Sequence, residues 1–397
     1  MVASREHGAD LLVVAGEASG DLHGSSLIRE IKQLRPQTEV IAIGGDLMAA
    51  SGAELLAHYR HLAVVGITEV LGHLGEIRRA MSRVLDAASA RRVRAVVLID
   101  YPDFNLRLAR RLRRARPDLP IVYYISPQVW AWRRGRVRQI ARLVDRMLVI
   151  LPFEKELYEG AGLSVDFVGH PLLDVIPATG EVGSFAERHA LDLDRRWIAL
   201  LPGSRRAEVE RLLPTMLEAA AQLAREGAYE YIVPVAAALG CDSYRPLLDD
   251  LDAEIRAHVH LIENDTYEAV RHARAAVVCS GTATLEVALL GTPEVVVYRT
   301  SWLTYNLGKL LVRIPDIALV NVVAGHRGVP ELLQNEVTPD AIVAELVPLL
   351  NDEENRDRVK RFLIDVRARL GEPGASARAA RAVLATLTPA PSGEPAI

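Results

Sequence analysis

At 397 residues, half of them hydrophobic, the chain is too long for a single hydrophobic core and predicts two domains, each with a core of its own. Its formal net charge is only −4, no uninterrupted apolar stretch is long enough to cross a bilayer, and residues 1–10 lack the apolar centre of a signal peptide, which together exclude a membrane-spanning or secreted class and point to the cytoplasm. The two cysteines, Cys241 and Cys279, lie far apart with no His or Cys at ligand spacing, so they read as buried thiols and not as a disulfide or zinc site.

Short apolar runs alternate with helical patterns along the chain. Residues 11–15, 40–43, 95–99, 121–125 and 147–151 read as parallel strands buried on both faces, with amphipathic stretches such as 22–34 between them. Residues 174–194, carrying Pro177, Gly180 and Gly183, read as a linker. A second series of strands follows at 197–201, 231–235, 259–262, 275–279 and 294–298. The fold class is therefore α/β, with two Rossmann-like doubly wound domains facing a cleft and ligands expected at the carboxyl edges of both sheets. Domain limits are placed at 1–174 and 175–355. The Pro-, Ser- and Gly-rich stretch 388–397 reads as a disordered tail.

The first strand runs into Gly16-Glu17-Ala18-Ser19-Gly20-Asp21. This is not a dinucleotide loop, because Ala18 stands where a second glycine is needed and two carboxylates would repel a pyrophosphate. Gly16, Ser19 and a carboxylate such as Glu17 suit a polyhydroxylated acceptor instead. The plainer reading is a helix start capped by Ser19 or Asp21.

A central strand ends in Asp100-Tyr101-Pro102-Asp103-Phe104-Asn105. A carboxylate at Asp100, desolvated beside an apolar strand, would gain the pKa of a general base, whereas Asp103 reads better as a helix N-cap. Between residues 104 and 147 stand twelve arginines against two acids, Asp118 and Asp145. That face would seek anions, lipid headgroups or a phosphorylated substrate among them, unless Arg107, Arg110, Arg111 and Arg114 are simply a solvated helix surface. Nucleic acid is not called for, since no aromatic stacking platform accompanies the charge. Asp192-Leu193-Asp194 has the spacing of a metal-binding pair, but it precedes its strand, on the edge away from the ligand turns, so no metal or other cofactor is assigned.

Two further turns carry the strongest signal. Leu201-Pro202-Gly203-Ser204-Arg205 and Ser280-Gly281-Thr282-Ala283-Thr284-Leu285-Glu286 each follow a strand, open a helix and lack a Walker lysine. Small residues let backbone N–H groups approach a diphosphate at the positive helix end, Arg205 adds a cation, and Glu286, one turn in, suits ribose hydroxyls. A sugar nucleotide fits this set better than ATP.

The same residues resemble a known family, the lipid-A-disaccharide synthases. AGEASGD at 15–21, VGITEVLG at 65–72, IDYPDFN at 99–105, SPQVWAWR at 126–133, LPFE at 151–154, VGHPL at 168–172, LLPGSRRAEVE at 200–210, SGTATLE at 280–286 and NVVAG at 321–325 resemble its motifs in order over nearly the whole chain. The resemblance implies a glycosyltransferase-B architecture with C-terminal helices, 356–387, crossing back onto the first domain. It implies an inverting, metal-independent transfer of 2,3-diacylglucosamine from UDP-2,3-diacylglucosamine to 2,3-diacylglucosamine 1-phosphate, giving the β(1→6) disaccharide 1-phosphate and UDP. By motif position Asp100 corresponds to the family's suspected catalytic carboxylate and Arg205 to an essential arginine. Gly203, Ser204, Glu208, Thr282, Glu286, Arg299 and Asn321 fall in motifs around the nucleotide site, and a homodimer is implied. Asp46 stands where the family usually has proline, a change expected to alter only its loop.

Acylated substrates require access to lipid. Ile67, Val70, Leu71, Leu74, Ile77 and Met81 form an apolar helical stripe beside Arg78, Arg79 and Arg83, as a helix lying on the inner face of the inner membrane would require; a core-facing helix would show the same stripe. Two rival functions remain, a UDP-sugar 2-epimerase, which would not need the stripe, and a non-catalytic nucleotide-binding protein, which would not need Asp100. Glu17 is a second candidate base.

Overall fold

The computed structural model describes residues 9–61, 70–90, 93–132, 135–177, 180–300 and 316–387. The chain divides into two compact units, one running to Asp174 and resuming at Gly371, the other spanning Val175–Leu370. Unit 1 holds a seven-stranded parallel sheet in the order β3-β2-β1-β4-β5-β6-β7. Its strands are β1 (Leu11–Ala15), β2 (Val40–Gly44), β3 (Glu54–His58), β4 (Ala95–Ile99), β5 (Ile121–Tyr124), β6 (Arg146–Val149) and β7 (Ser164–Phe167). Unit 2 holds six parallel strands in the order β10-β9-β8-β11-β12-β13. These are β8 (Arg196–Leu201), β9 (Tyr229–Pro234), β10 (Val259–Ile262), β11 (Ala275–Cys279), β12 (Glu294–Tyr298) and β13 (Glu331–Leu333).

Continuous apolar strands follow from burial on both faces. In unit 1, Leu12, Val14, Val96 and Leu98 face one core with Val84, Leu108 and Leu112, while Leu11, Val13, Val97 and Ile99 face the other with Leu27, Ile28 and Ile31 of the helix Ala18–Leu34. Ala379, Ala380, Val383 and Leu384 of the helix Ala375–Leu387 complete that second core. Asp174 fastens this helix by accepting from the backbone N–H of Gly374 (2.5 Å), Ala375 (3.3 Å) and Ser376 (3.1 Å), the anionic cap that a helix N-terminus favours. The helix Glu353–Arg369 stays in unit 2, where Val359, Leu363 and Val366 are buried, so the return to unit 1 begins at Gly371 and not at 356.

Outside Arg133 and Arg134, which lie beyond the described residues, the arginine-rich stretch contains scaffold and solvated surface. Arg107, Arg110, Arg111 and Arg114 are exposed on the helix Pro102–Ala115, whose other face buries Phe104, Leu108 and Leu112. Arg113 donates to the carbonyls of Leu143 and Leu119 and pairs with Asp145, Arg136 pairs with Asp103, and Arg146 pairs with Asp166. Met81 of the proposed lipid-facing stripe is only 4% exposed and packs in the core with Val84, because it lies on the inward face of the helix Val70–Ala90. Arg78 and Arg79 are exposed, and Arg83 donates to the Leu56 carbonyl. Ile67, the side chains of Val70, Leu71, Leu74 and Ile77, and the stretch 388–397 lie outside the described residues.

Glu294 is fully buried at the start of β12 and neither carboxylate oxygen has a hydrogen-bond partner. Burial alone pushes its pKa well above the ordinary carboxylate range. Nothing in the structure explains a carboxyl there. Because the folded pKa is raised, the folded state is favoured at low pH and loses stability as pH rises through and beyond the unfolded carboxylate range. Glu294→Leu is accordingly expected to raise the melting temperature at pH 8 by about 2–5 °C and by less at pH 5, measured by calorimetry; an equal or negative shift at both would show that the carboxyl is satisfied.

Candidate functional site

Strand order reverses between β1 and β4 in unit 1 and between β8 and β11 in unit 2, which pair in parallel register at Ala15 with Ile99 and at Leu201 with Val278. At such a reversal the connections leave toward opposite faces and open a crevice at the carboxyl ends. All four turns singled out in the sequence sit at those ends.

In unit 1 the turn after β4 is held in an unusual backbone. Asp100 and Tyr101 are both left-handed, with φ of 41° and 44°, a conformation costing non-glycine residues about 1–3 kcal/mol each. Three contacts impose it. Asn105 Nδ2 donates to the carbonyls of Ile99 (3.1 Å) and Asp100 (2.7 Å), and the Tyr123 hydroxyl donates to the same Asp100 carbonyl at 2.5 Å. The Tyr101 ring lies over Gly16 so closely that a Cβ there would meet its Cδ1 at 2.0 Å. Desolvation first, then the Glu17 charge, raises the Asp100 carboxyl to about 6, against a lowering hydrogen bond from the Tyr101 backbone. Glu17 and Ser19 are exposed at the start of the helix Ala18–Leu34.

Asp103 is not the N-cap. The helix begins at Pro102 with Tyr101 in the cap position, and Asp103 lies in its first turn, paired with Arg136 at 2.9 Å. Asp21 caps a different helix from the one it belongs to. Its carboxylate is buried and accepts from the backbone N–H of Gly45 (2.7 Å), Met48 (3.1 Å) and Leu47 (3.2 Å) at the start of the helix Asp46–Ala50. Asp46 is the first residue of that helix and lies 3.6 Å from His58 and from Arg60. Proline and an acid both suit such a position, since its N–H has no intrahelical partner.

The same edge carries a buried polar cluster, of which Ser126, Trp130 and Glu154 fall in motifs of the family resemblance and Tyr158 does not. Trp130 Nε1 donates to Glu154 at 3.2 Å, Glu154 accepts from the Leu151 N–H, and Ser126 and Tyr158 share a 2.8 Å hydroxyl contact. Desolvation pushes Glu154 up to about 8, opposed by hydrogen bonds led by the Leu151 backbone. His23 and His170 are held near 4 and 3 by burial, with the His23 charge also lowering His170. Both imidazoles are therefore neutral.

In unit 2 the two turns line one cavity of about 410 Å³, bounded by Gly203, Ser204, Arg205 and Glu208 on one side and Ser280, Gly281, Thr282 and Glu286 on the other. Gly203 has φ of 120°, and an added Cβ would lie 2.5 Å from Glu208 Oε2, so only glycine fits. Glu208 ties the turn to the helix Arg206–Leu223 by accepting from the N–H of Ser204 (3.1 Å) and Arg205 (3.2 Å) and from Arg205 Nη1 (2.7 Å). The Arg205 side chain is 81% exposed. Glu286, on the helix Thr282–Leu290, has its pKa raised by desolvation, and with burial its charge lifts Tyr267 to about 12. Pro234, Val235, Ala236 and Thr266, which the sequence reading did not single out, complete the wall.

Two assigned residues do not line this cavity. Arg299 donates to the carbonyls of Gln334 and Val337 and to Thr215 Oγ1. Asn321 is fully buried and saturated: Nδ2 donates to Val329 O (3.0 Å) and Glu331 Oε1 (2.7 Å), and Oδ1 accepts from Gly328 N (2.9 Å) and Val329 N (3.1 Å). The hydrogen bonds of both residues shape the loops behind the glycine turns. Asp192, of the possible metal pair, accepts from the N–H of Asp194 at 2.9 Å within its own turn.

A sequence profile for lipid-A-disaccharide synthetase matches residues 11–385. Lipid-A-disaccharide synthases from Anaeromyxobacter dehalogenans and Syntrophus aciditrophicus are 45% and 46% identical over 378 and 371 residues, covering 95% and 93% of this chain and 97% and 96% of theirs. Among solved structures, the UDP-GlcNAc 2-epimerase of Neisseria meningitidis bound to UDP-GlcNAc aligns with a TM-score of 0.63 at 13% identity over 94% of this chain and 99% of that one. The calicheamicin glycosyltransferase aligns at 0.57 with 17% identity, over 96% and 98%. At such identities these structures speak for the fold alone, an α/β architecture of parallel sheets.

Proposed function

The chain belongs to the lipid-A-disaccharide synthase family and is a hexosyltransferase, and from that premise we propose that it moves 2,3-diacylglucosamine from UDP to 2,3-diacylglucosamine 1-phosphate with inversion at the anomeric carbon. The observation that carries the chemistry is the Asp100 carboxyl, poised at about 6 on a strained turn. A primary alcohol is a poor nucleophile at neutral pH, and a single inverting displacement needs a base on the acceptor side. Above pH 6 Asp100 is ionised and takes the proton of the acceptor's 6-hydroxyl as the oxygen attacks the anomeric carbon. Gly16, Glu17 and Ser19 meet acceptor hydroxyls.

In unit 2 the bond to UDP breaks as the new bond forms. Negative charge grows on the departing diphosphate, and Arg205 with the N-terminal ends of the helices Arg206–Leu223 and Thr282–Leu290 stabilises it. Glu286 accepts from the ribose hydroxyls. A 2-epimerase reading keeps the nucleotide cavity and gives Asp100 no alcohol to activate.

The enzyme works, in this reading, as a homodimer on the inner face of the inner membrane, where both acylated substrates lie. The exposed Arg78 and Arg79 support electrostatic attachment.

Arg205→Ala is expected to lower kcat by about 10²–10³ while the protein stays folded, and Glu286→Ala to weaken UDP binding more than kcat; UDP release assayed with donor alone and then with acceptor reads both, and UDP formed without acceptor would refute the transferase scheme. Asp100→Asn is expected to cost about 10²–10⁴ in kcat with UDP affinity retained. Since Glu17 raises the Asp100 pKa, Glu17→Gln should move the acidic limb of the pH profile below 6; a fully active Asp100→Asn enzyme with an unchanged limb removes Asp100 from the mechanism. Charge reversal at Arg78 and Arg79 is expected to reduce co-sedimentation with anionic vesicles, and undiminished binding would move the membrane contact elsewhere.

A further inference from the structure

At the amino-terminal edge of the unit 2 sheet lies a second cavity, of about 320 Å³. Arg195 and Arg196 reach it at the start of β8, Arg271 and Arg274 just before β11, and Arg356 and Lys360 on the helix Glu353–Arg369. No carboxylate is among its lining side chains, which also include Trp197, His272 and Thr292. The nucleotide turns leave the opposite ends of β8 and β11, and a five-residue strand such as β11 spans roughly 16 Å.

The neighbouring acids neutralise part of this charge. Glu353 pairs with Arg274 (2.8 Å) and Arg356, Glu268 lies 3.7 Å from Arg271 and 3.0 Å from His272, and Asp192 and Glu230 lie 3.5 and 3.7 Å from Arg195. Six cations against four carboxylates leave a local surplus of two.

Hydrogen-bond capacity is also left over. The Arg356 side chain is 9% exposed, and among the described residues its Nε and Nη1, like Arg274 Nε, are buried without a hydrogen-bond partner. An arginine network that served only to dock a helix would pair these donors, since buried N–H groups are costly to leave unbonded. The exposed Arg196 and Lys360 and the part-exposed Arg195 and Arg274 present charge to the cavity, and guanidinium groups bind phosphate oxygens with matching geometry.

We propose that this cavity binds a phosphate dianion, carried by a phosphomonoester or a diphosphate, at a site separate from the nucleotide cavity. The test titrates inorganic pyrophosphate into the full chain by calorimetry at constant ionic strength, with and without saturating UDP. One saturable site per chain is expected, unaffected by UDP, with affinity falling at least tenfold in Arg356→Gln and in Lys360→Glu. Lys360 is exposed and outside the core, so its variant keeps the test open if Arg356→Gln fails to fold. Vesicles bearing a phosphomonoester headgroup form a second arm: binding there alone, still lost in Lys360→Glu, assigns the phosphate to lipid, and binding of pyrophosphate alone assigns it to a soluble ligand. Absence of saturation by either probe up to about 10 mM, competition by UDP, or unchanged affinity in both variants would overturn the site.

Discussion

Two reversals of strand order, β1 beside β4 and β8 beside β11, constrain everything else in this molecule. Parallel strands buried on both faces leave no room for polar chemistry along their length, so reactive groups are confined to the ends. Where neighbouring connections diverge, the backbone leaves space for a ligand at the carboxyl ends. Asp100 and Gly16 stand on one such pair of ends, Gly203 and Ser280 on the other.

The two units solve the turn problem by different means. Unit 1 forces Asp100 and Tyr101 into left-handed backbone and stabilises them with Asn105, Tyr123 and the contact of Tyr101 with Gly16, which also withdraws the Asp100 carboxyl from water. Strain and raised basicity thus share a cause. Unit 2 uses glycine where φ is positive and fastens the turn with Glu208, which also pairs with the exposed Arg205 side chain.

How legible each part was follows from burial. The runs at 11–15, 95–99 and 275–279 match β1, β4 and β11 residue for residue, because a strand covered on both faces must be apolar throughout; 259–262 and 294–298 also match β10 and β12, although β10 is a sheet edge carrying His260 and β12 opens on Glu294. β3, β7 and β13 escaped notice; they are sheet edges, partly exposed and mixed in composition, and β13 has only three residues. In the site, the glycine turns were readable from their chemistry. The loop contacts of Arg299 and Asn321 were not, since a motif position does not reveal which partners a polar side chain takes. Asn105 lay inside a recognised motif, yet its hold on the Asp100 carbonyl depends on a backbone bend that no periodicity announces.

The return of the chain to unit 1 bears on how the protein is made. Leu27, Ile28 and Ile31 are covered by Ala379, Val383 and Leu384, and Asp174 caps the helix that carries them. Roughly 200 residues separate Asp174 from that helix, and at about 5–20 residues per second their synthesis takes on the order of 10–40 s. For that interval the apolar surface that this helix covers, including Leu27, Ile28 and Ile31, is bare. Unit 2, continuous in sequence, can finish folding first, and the nascent first unit is the natural client of a chaperone until its closing helix arrives.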